Sequence, residues 1–191
     1  SKGSSIGEYA DMIKDLFIER VSNKDKVKEY INRENVTLVF EVIKNEKDPH
    51  IIEYQNDELI LLDIVYNKIE FKKKNYEEVV KLANLMGIKH KELGYLFNNF
   101  KEFNEFYKTQ LSEDPIHGTG KSIEGYVIED AEGYLVKIKN PYYKYWKYMR
   151  GILNSKGNGA DVENRLGDDF SRKFVDWADR EYNLANEINI I

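Results

Sequence analysis

An α+β fold with an antiparallel sheet is what this sequence predicts, and three observations predict it. Apolar residues recur at three-and-four spacing in several segments, the stripe of an amphipathic helix. Between those segments lie short runs rich in β-branched and aromatic residues, the composition of strands. The runs come in neighbouring pairs joined by turn signals, so tight hairpins rather than crossover units dominate the sheet.

The elements follow in order. Tyr9, Met12, Ile13, Leu16, Phe17 and Val21 outline a first helix after a Gly/Ser-rich start. Residues 37–43, TLVFEVI, read as a strand. Residues 51–55 and 58–65 read as strands flanking a turn at Asn56-Asp57. A helix is expected over residues 76–86, stopped by Gly87. Another is expected over Leu93, Leu96, Phe97, Phe100, Phe103, Tyr107 and Leu111. After a loop at residues 112–121 comes a second hairpin, 122–129 and 134–139, turning near Glu132-Gly133. Pro141 opens a helical stretch to Leu153, residues 154–159 break it, and residues 161–188 carry an irregular helical pattern. The expected division is therefore 1–153 as the main domain and 154–191 as a helical tail.

Composition excludes several classes. The 191 residues are 41% apolar and 33% charged, with 14 tyrosines and 9 phenylalanines, which is enough to build a core and too much for a disordered chain. With no cysteine there is no disulfide framework, thiolate metal site or thiol nucleophile, and an intracellular, cytoplasmic setting is the expectation. The longest wholly apolar run, residues 59–62, stops at Asp63, far short of the ~20 residues of a bilayer span, so no membrane partner is expected. The net charge of −5 offers no global field for a polyanion, so any nucleic-acid surface must be local. The start, Ser1-Lys2-Gly3-Ser4-Ser5, is unlike a signal peptide; processing, a cloning scar or a missing upstream segment would account for it.

Two signals are set aside. Gly118 to Ser122, GTGKS, matches the tail of a phosphate-binding P-loop, but Pro115 stands where the first glycine belongs, and a helix precedes and a strand follows it. His50, His90 and His117 lack metal-ligand spacing.

Three features point to chemistry. Alternation along 37–43 puts Glu41 on a face with Thr37, Val39 and Ile43, where a charge is normally excluded unless partnered. On the second hairpin, alternation puts Lys137 and Lys139 on one face. An even-numbered turn would set Ile128 opposite Lys137 and Tyr126 opposite Lys139, bringing Glu124 to the lysines' face; an odd loop would break that arrangement. Two adjacent ammoniums suit a polyphosphate, and a carboxylate beside them can hold a ribose hydroxyl or a metal-bound water. Taken alone, Lys-x-Lys is also the ordinary make-up of a solvated strand. Finally, Lys137, Lys139, Lys144, Lys147 and Arg150 fall in one stretch without an acid, in a chain that is otherwise acidic. Tyr142, Tyr143, Tyr145, Trp146 and Tyr148 are interleaved there, placed to stack on bases or to pack as a helix face, with packing the expectation for Trp146.

In this order the motifs resemble those of ATP-dependent RNA ligases, closest to the phage-type RNA ligase 1 branch of the nucleotidyltransferases, with the fungal tRNA ligase adenylyltransferase domain as a cousin. Ser1-Lys2-Gly3-Ser4 resembles the branch's S-K-G-S motif. Phe40-Glu41 resembles the third motif, and the segment from Asp48-Pro49-His50 to Asp63 continues the likeness as a hairpin. Glu124-Gly125-Tyr126-Val127 resembles the fourth motif and Val136-Lys137-Ile138-Lys139 the fifth. The resemblance covers about residues 1–150 and implies an adenylyltransferase core with flanking helices. It implies ATP and magnesium as cofactors, and RNA with 5′-phosphate and 3′-hydroxyl ends as substrate. Lys137, Lys139 and Glu124 would be catalytic, with Glu124 on the metal. Lys2, Gly3, Glu41, Glu124, Lys137 and Lys139 would bind ATP; Tyr143, Lys144, Lys147 and Arg150 would touch nucleotide or RNA.

The sequence departs from the family at one point. The family's nucleophile lies in K-x-D-G, which occurs nowhere in these 191 residues. The expectation is a truncated chain, inactive alone, whose upstream segment carries that lysine; a degenerate relative is the alternative. A non-catalytic nucleotide- or RNA-binding module of the same fold is the rival reading, and a DNA ligase or capping enzyme a third.

Overall fold

The structure, a computed structural model, describes residues 6–45, 54–111, 123–140, 143, 144 and 147. It is α+β. The described residues fall into two compact units, the first ending at Leu96 and the second beginning at Phe97.

In the first unit the chain runs α1 (Glu8–Arg20), α2 (Lys24–Glu34), β1 (Val36–Ile43), β2 (Glu58–Tyr66), α3 (Tyr76–Met86) and β3 (Lys89–His90). α1 buries Met12 and Leu16 from its predicted stripe. α2 is absent from the sequence reading. Seven of its eleven residues are charged, and its stripe is only Val27, Tyr30 and Ile31. Left-handed asparagines bracket it, Asn23 at φ 52° and Asn35 at φ 51°, a conformation asparagine tolerates better than most side chains. The Asn23 side-chain amide donates to the Leu85 carbonyl oxygen at 2.8 Å, tying the start of α2 to the end of α3.

α3 has the predicted bounds because both ends are chemically marked. Asn75 caps it by accepting from the Glu78 N–H, and Gly87, at φ 70°, ends it while the Ile88 N–H reaches back to the Ala83 carbonyl. Its stripe Val79, Leu82, Ala83 and Met86 meets Leu16, Val27, Val36, Leu59, Leu61 and Ile64 in one core. Each of these side chains except the small Ala83 contributes on the order of 1.5–3 kcal/mol of burial.

The sheet order is β1-β2-β3, with β2 antiparallel to β1 and parallel to β3. This corrects the expected hairpin around Asn56-Asp57. Of residues 51–55 only Tyr54 and Gln55 are described; neither is strand, and β2 pairs with β1 instead. Asp57 closes the connection by accepting from Lys44 Nζ at 2.7 Å and from the Asn45 N–H at 2.9 Å.

Register shifts inside this pair. Val39 faces Asp63 but Phe40 faces Leu61, so Leu62 is an extra residue, a β-bulge. The bulge changes the parity of β2: Leu59 and Leu61 point into the core before it, Ile64 after it. Without it a strict alternation could not send all three to the same side.

In the second unit α4 (Phe100–Leu111) is followed by β4 (Gly125–Glu129) and β5 (Leu135–Lys139), an antiparallel hairpin. α4 starts seven residues later than the apolar spacing predicts. Asn99 and Glu102 form a reciprocal cap there, the Glu102 N–H donating to the Asn99 side chain at 3.1 Å and the Asn99 amide to the Glu102 carboxylate at 2.9 Å. Phe97, Phe103 and Phe106 cluster on one side of the helix, and Phe106 packs edge-on against Tyr126 of β4 at 5.3 Å between ring centroids. Tyr143, Lys144 and Lys147 are helical, as expected of the segment after Pro141. The rest of that segment, the GTGKS loop, His50, His117 and the expected tail helix lie outside the described residues. Among the described residues, no helix is long and apolar enough to cross a membrane.

Candidate active site

The second hairpin corrects the expected register. Val127 faces Lys137 and Gly125 faces Lys139, one residue out of step with an even-numbered turn. The loop is odd, five residues from Asp130 to Tyr134. The Asp130 side chain accepts from the N–H groups of Glu132 and Tyr134, and Gly133 turns the chain at φ 85°. By alternation alone, this register would send Glu124 to the face opposite the lysines.

Glu124 nevertheless meets both of them. Its Oε1 lies 3.2 Å from Lys137 Nζ and is also paired with Lys139 Nζ. The cause is Gly125, whose φ of 149° lies outside the ordinary strand range and breaks the pleat between Glu124 and the strand. The backbones approach so closely there that a Cβ on Gly125 would lie 2.0 Å from the Ile138 carbonyl oxygen and 2.8 Å from Lys139 Cα. Just beyond the ladder, the Asn140 N–H donates to the Glu124 carbonyl oxygen at 2.9 Å and fixes the displaced glutamate. The expected trio is therefore present, produced by a glycine kink and not by an even turn.

Tyr143 extends the cluster. Lys139 Nζ sits 4.5 Å from its ring centroid and Lys147 Nζ 6.0 Å, so two cations lie within reach of the ring. Lys144 and Lys147 are exposed. Six of the residues singled out from sequence, Glu124, Lys137, Lys139, Tyr143, Lys144 and Lys147, thus belong to the hairpin and the helix after it. Lys2, Gly3 and Arg150 lie outside the described residues.

Glu41 belongs to the first unit, and its setting differs from the expected one. The face it shares with Thr37 and Val39 is open to solvent, not packed; the core face of β1 is Val36, Leu38, Phe40 and Val42. Only Ile43 on the expected face is buried. Glu41 stands opposite Ile60, as Val39 stands opposite Asp63. An exposed strand-face carboxylate needs no buried partner and is free for a ligand.

The same open face carries residues that the sequence reading passed over. Asp63 Oδ1 accepts from Lys91 Nζ at 2.7 Å and from Lys73 Nζ at 3.4 Å, all three side chains being largely covered. The available signal was the charge at Asp63, which interrupts an apolar strand. His90, set aside as a metal ligand, has its Nδ1 2.8 Å from the Lys91 carbonyl oxygen. Among the described residues no three acidic, histidine or cysteine side chains cluster as a metal cage.

A tRNA ligase of Candida albicans is 25% identical over 188 residues, an alignment taking in 87% of this chain and 22% of that protein. The chain therefore spans about a fifth of that relative's length. The RNA ligase family model matches residues 1–143, three quarters of the chain, including the strand with Glu41 and the hairpin with Glu124, Lys137 and Lys139. On that match this chain belongs to the phage-type RNA ligase family.

Proposed function

We propose that these residues are the C-terminal part of the adenylyltransferase domain of an ATP-dependent RNA ligase, spanning residues 1–153, with 154–191 as a helical tail. The observation that carries this reading is the convergence of Glu124, Lys137 and Lys139 in a chain of the RNA ligase family. Two ammoniums side by side are suited to a phosphate on which negative charge grows.

The reaction has three in-line steps. A lysine amine attacks the α-phosphate of ATP and expels pyrophosphate; the 5′-phosphate of RNA takes the AMP; the 3′-hydroxyl of RNA attacks that phosphate and expels AMP. Lys137 and Lys139 neutralise the charge developing on the α-phosphate, an electrostatic contribution of order 3–4 kcal/mol each in comparable sites. Glu41 holds the nucleotide ribose, and Lys2 with the Gly3 backbone a phosphate. Tyr143, Lys144, Lys147 and Arg150 contact nucleotide or RNA.

A lone carboxylate fits magnesium shared with nucleotide phosphates better than a protein cage, and Glu124 is such a group. When bound, the metal supplies charge neutralisation at those phosphates. The attacking lysine of K-x-D-G is not among these residues, so the covalent step needs a segment that carries it. The same absence favours the second reading, a nucleotide- or RNA-binding module without catalysis. The absence of cysteine suits an intracellular setting for either.

Calorimetric titration of the 191-residue chain with ATP and magnesium tests the site. Wild-type binding should weaken about tenfold or more in Lys137→Ala and in Lys139→Ala, the loss expected for a charge-assisted contact. Equal affinity in the wild type and both variants would overturn the assignment. Joining the chain to a K-x-D-G segment and following label from ATP then separates ligase from binding module.

A further inference from the structure

The chain between β2 and α3 doubles back as a short hairpin. The Tyr66 N–H donates to the Lys72 carbonyl oxygen at 2.9 Å, and Val65 pairs with Lys73, leaving residues 67–71 as a projecting tip. Asn67 anchors the tip to the end of α2: its N–H donates to the Asn35 carbonyl oxygen at 3.0 Å, and its side chain is bonded to those of Asn35 and Thr37. The tip is therefore built, with a fixed place on the first unit.

What it presents is unusual for a surface loop. Ile69 is fully exposed and Phe71 is 66% exposed. Lys68 and Lys72 flank them, also exposed, with no ion pair among the described residues. Behind the tip a strip of alternating aromatic and cationic groups leads toward α2. Lys68 Nζ and Lys74 Nζ lie 5.6 and 5.0 Å from the Tyr66 ring centroid, Lys74 Nζ is 2.8 Å from Glu34, and Glu34 is 2.9 Å from Arg33 Nε. The Arg33 guanidinium lies over the Tyr30 ring at 5.6 Å. In and beside this hairpin four cations, Lys68, Lys72, Lys74 and Arg33, are set against two acids, Glu34 and Glu70, a local cationic surplus on a chain of net charge −5. Cations interleaved with an exposed aromatic ring are the two elements of a single-strand platform: charges for the phosphates, a π-face for a base. An exposed phenylalanine with lysines on both sides has little to gain from an apolar protein surface, which would have to strip water from those ammoniums.

We propose that the 66–72 hairpin is a docking surface for single-stranded RNA, with Lys68 and Lys72 on phosphates and Phe71 stacked under a base. It lies at the end of β1 and β2 where Val36 faces Tyr66, five residues along β1 from Glu41, about 16 Å at strand spacing. It would engage nucleotides flanking the ends to be joined. The proposal rests on the RNA ligase reading for its partner but not on the roles of Lys137 and Lys139.

The test is fluorescence anisotropy of the 191-residue chain with a fluorescein-labelled, 5′-phosphorylated 20-nucleotide oligouridylate, over a series of potassium chloride concentrations. Wild type should bind with a salt-dependent affinity. A Lys68→Ala/Lys72→Ala double variant should bind about fivefold or more weakly at low salt. Its log–log salt slope should be shallower by about 1.4, at ~0.7 per single-strand phosphate contact. Phe71→Ala should weaken binding by about fivefold or more at every salt concentration and leave the slope unchanged. All three positions are exposed, so circular dichroism melts should match wild type.

Unchanged affinity and slope in both variants would overturn the proposal, as would absence of RNA binding by wild type, or retention on phosphatidylserine vesicles without RNA binding. Calorimetry with ATP on the same proteins keeps the two readings apart. The hairpin variants should bind ATP like wild type. If Lys137→Ala loses ATP affinity while the hairpin variants keep their RNA affinity, only the docking surface falls; if Lys137→Ala keeps ATP affinity, the ligase site falls independently.

Discussion

Replacing Gly125 by alanine is the sharpest probe of how this hairpin makes a site. The added Cβ would lie 2.0 Å from the Ile138 carbonyl oxygen and 2.8 Å from Lys139 Cα, both backbone atoms, so no side-chain rotation relieves the clash. Alanine is also strained at a φ of 149°. Strain of that kind costs ~1–3 kcal/mol. Separating the strands at this point also weakens one or two hydrogen bonds, the Asn140-to-Glu124 bond among them, at roughly 1 kcal/mol each. The sum, about 2–5 kcal/mol, falls on the hairpin alone. Amide hydrogen exchange resolves this: protection at the β4 and β5 amides should drop by the corresponding factor, while the core amides of the first unit hold theirs. Because the glycine kink brings Glu124 to the lysines, ATP affinity should fall together with protection. Gly125→Ala with undiminished hairpin protection, or with protection lost and ATP affinity intact, would refute the argument that the kink makes the site.

Other outcomes follow from the same geometry. Lys137→Ala or Lys139→Ala, in a ligase that carries the nucleophile lysine, should abolish transfer of AMP from labelled ATP, and Lys137→Ala should do so with little change in melting temperature, since an exposed strand lysine adds little to stability; transfer at the wild-type rate would sink the assigned roles. Residues 1–191 incubated with ATP and magnesium should gain no AMP by intact mass and should not seal RNA; an adduct on any lysine would show that the chain holds its own nucleophile. The hydrogen bond from Lys44, aided by the Asn45 N–H, holds the Asp57 carboxyl below the usual aspartate range. A value lowered on folding stabilises the protein above the unfolded value of ~3.9 and ceases to do so as pH falls through the folded one. The melting-temperature gap between wild type and Asp57→Asn should therefore be full above about pH 5 and shrink as the pH falls below the unfolded value; a gap independent of pH would contradict the clamp. Asn99→Ala should destabilise α4 by ~1 kcal/mol, read as lost helicity and faster exchange in its first turn.

How far the sequence could be read depended on whether local chemistry or long-range pairing decided each element. α3 was legible to the residue because Asn75 and Gly87 mark its ends within the segment itself. α4 was legible as a helix but not at its start, since Leu93 and Leu96 fit the period and only the Asn99–Glu102 cap overrules them. Seven charged residues hid α2, whose stability comes from Val27, Tyr30 and Ile31 meeting a core formed elsewhere in the chain. β3 is two residues long and exists only because β2 runs beside it. The partner of β2 was misjudged for the same reason: Asn56-Asp57 looks like a hairpin turn, yet Asp57 serves the β1–β2 connection through Lys44 and Asn45.

The candidate site failed to be legible in a more specific way. Reading faces from alternation assumes an unbroken pleat, and this chain breaks it twice, at the Leu62 bulge and at the Gly125 kink. Each break sits beside a carboxylate with two lysines. After the bulge, Asp63 stands opposite Val39 on the open face and takes Lys73 and Lys91, while Leu59, Leu61 and Ile64 stay in the core. Before the kink, Glu124 leaves the strand and takes Lys137 and Lys139, which the odd register would otherwise deny it. Regular alternation serves the apolar core, which needs one face only. A polar cluster needs charged groups from both strands at one point, and a single irregular residue can supply that without disturbing the burial pattern on either side. Alternation therefore named residues that do converge at the hairpin while giving the wrong reason, and missed the Asp63 cluster. The irregular residues, Leu62 and Gly125, are where a substitution would separate loss of the site from loss of the fold.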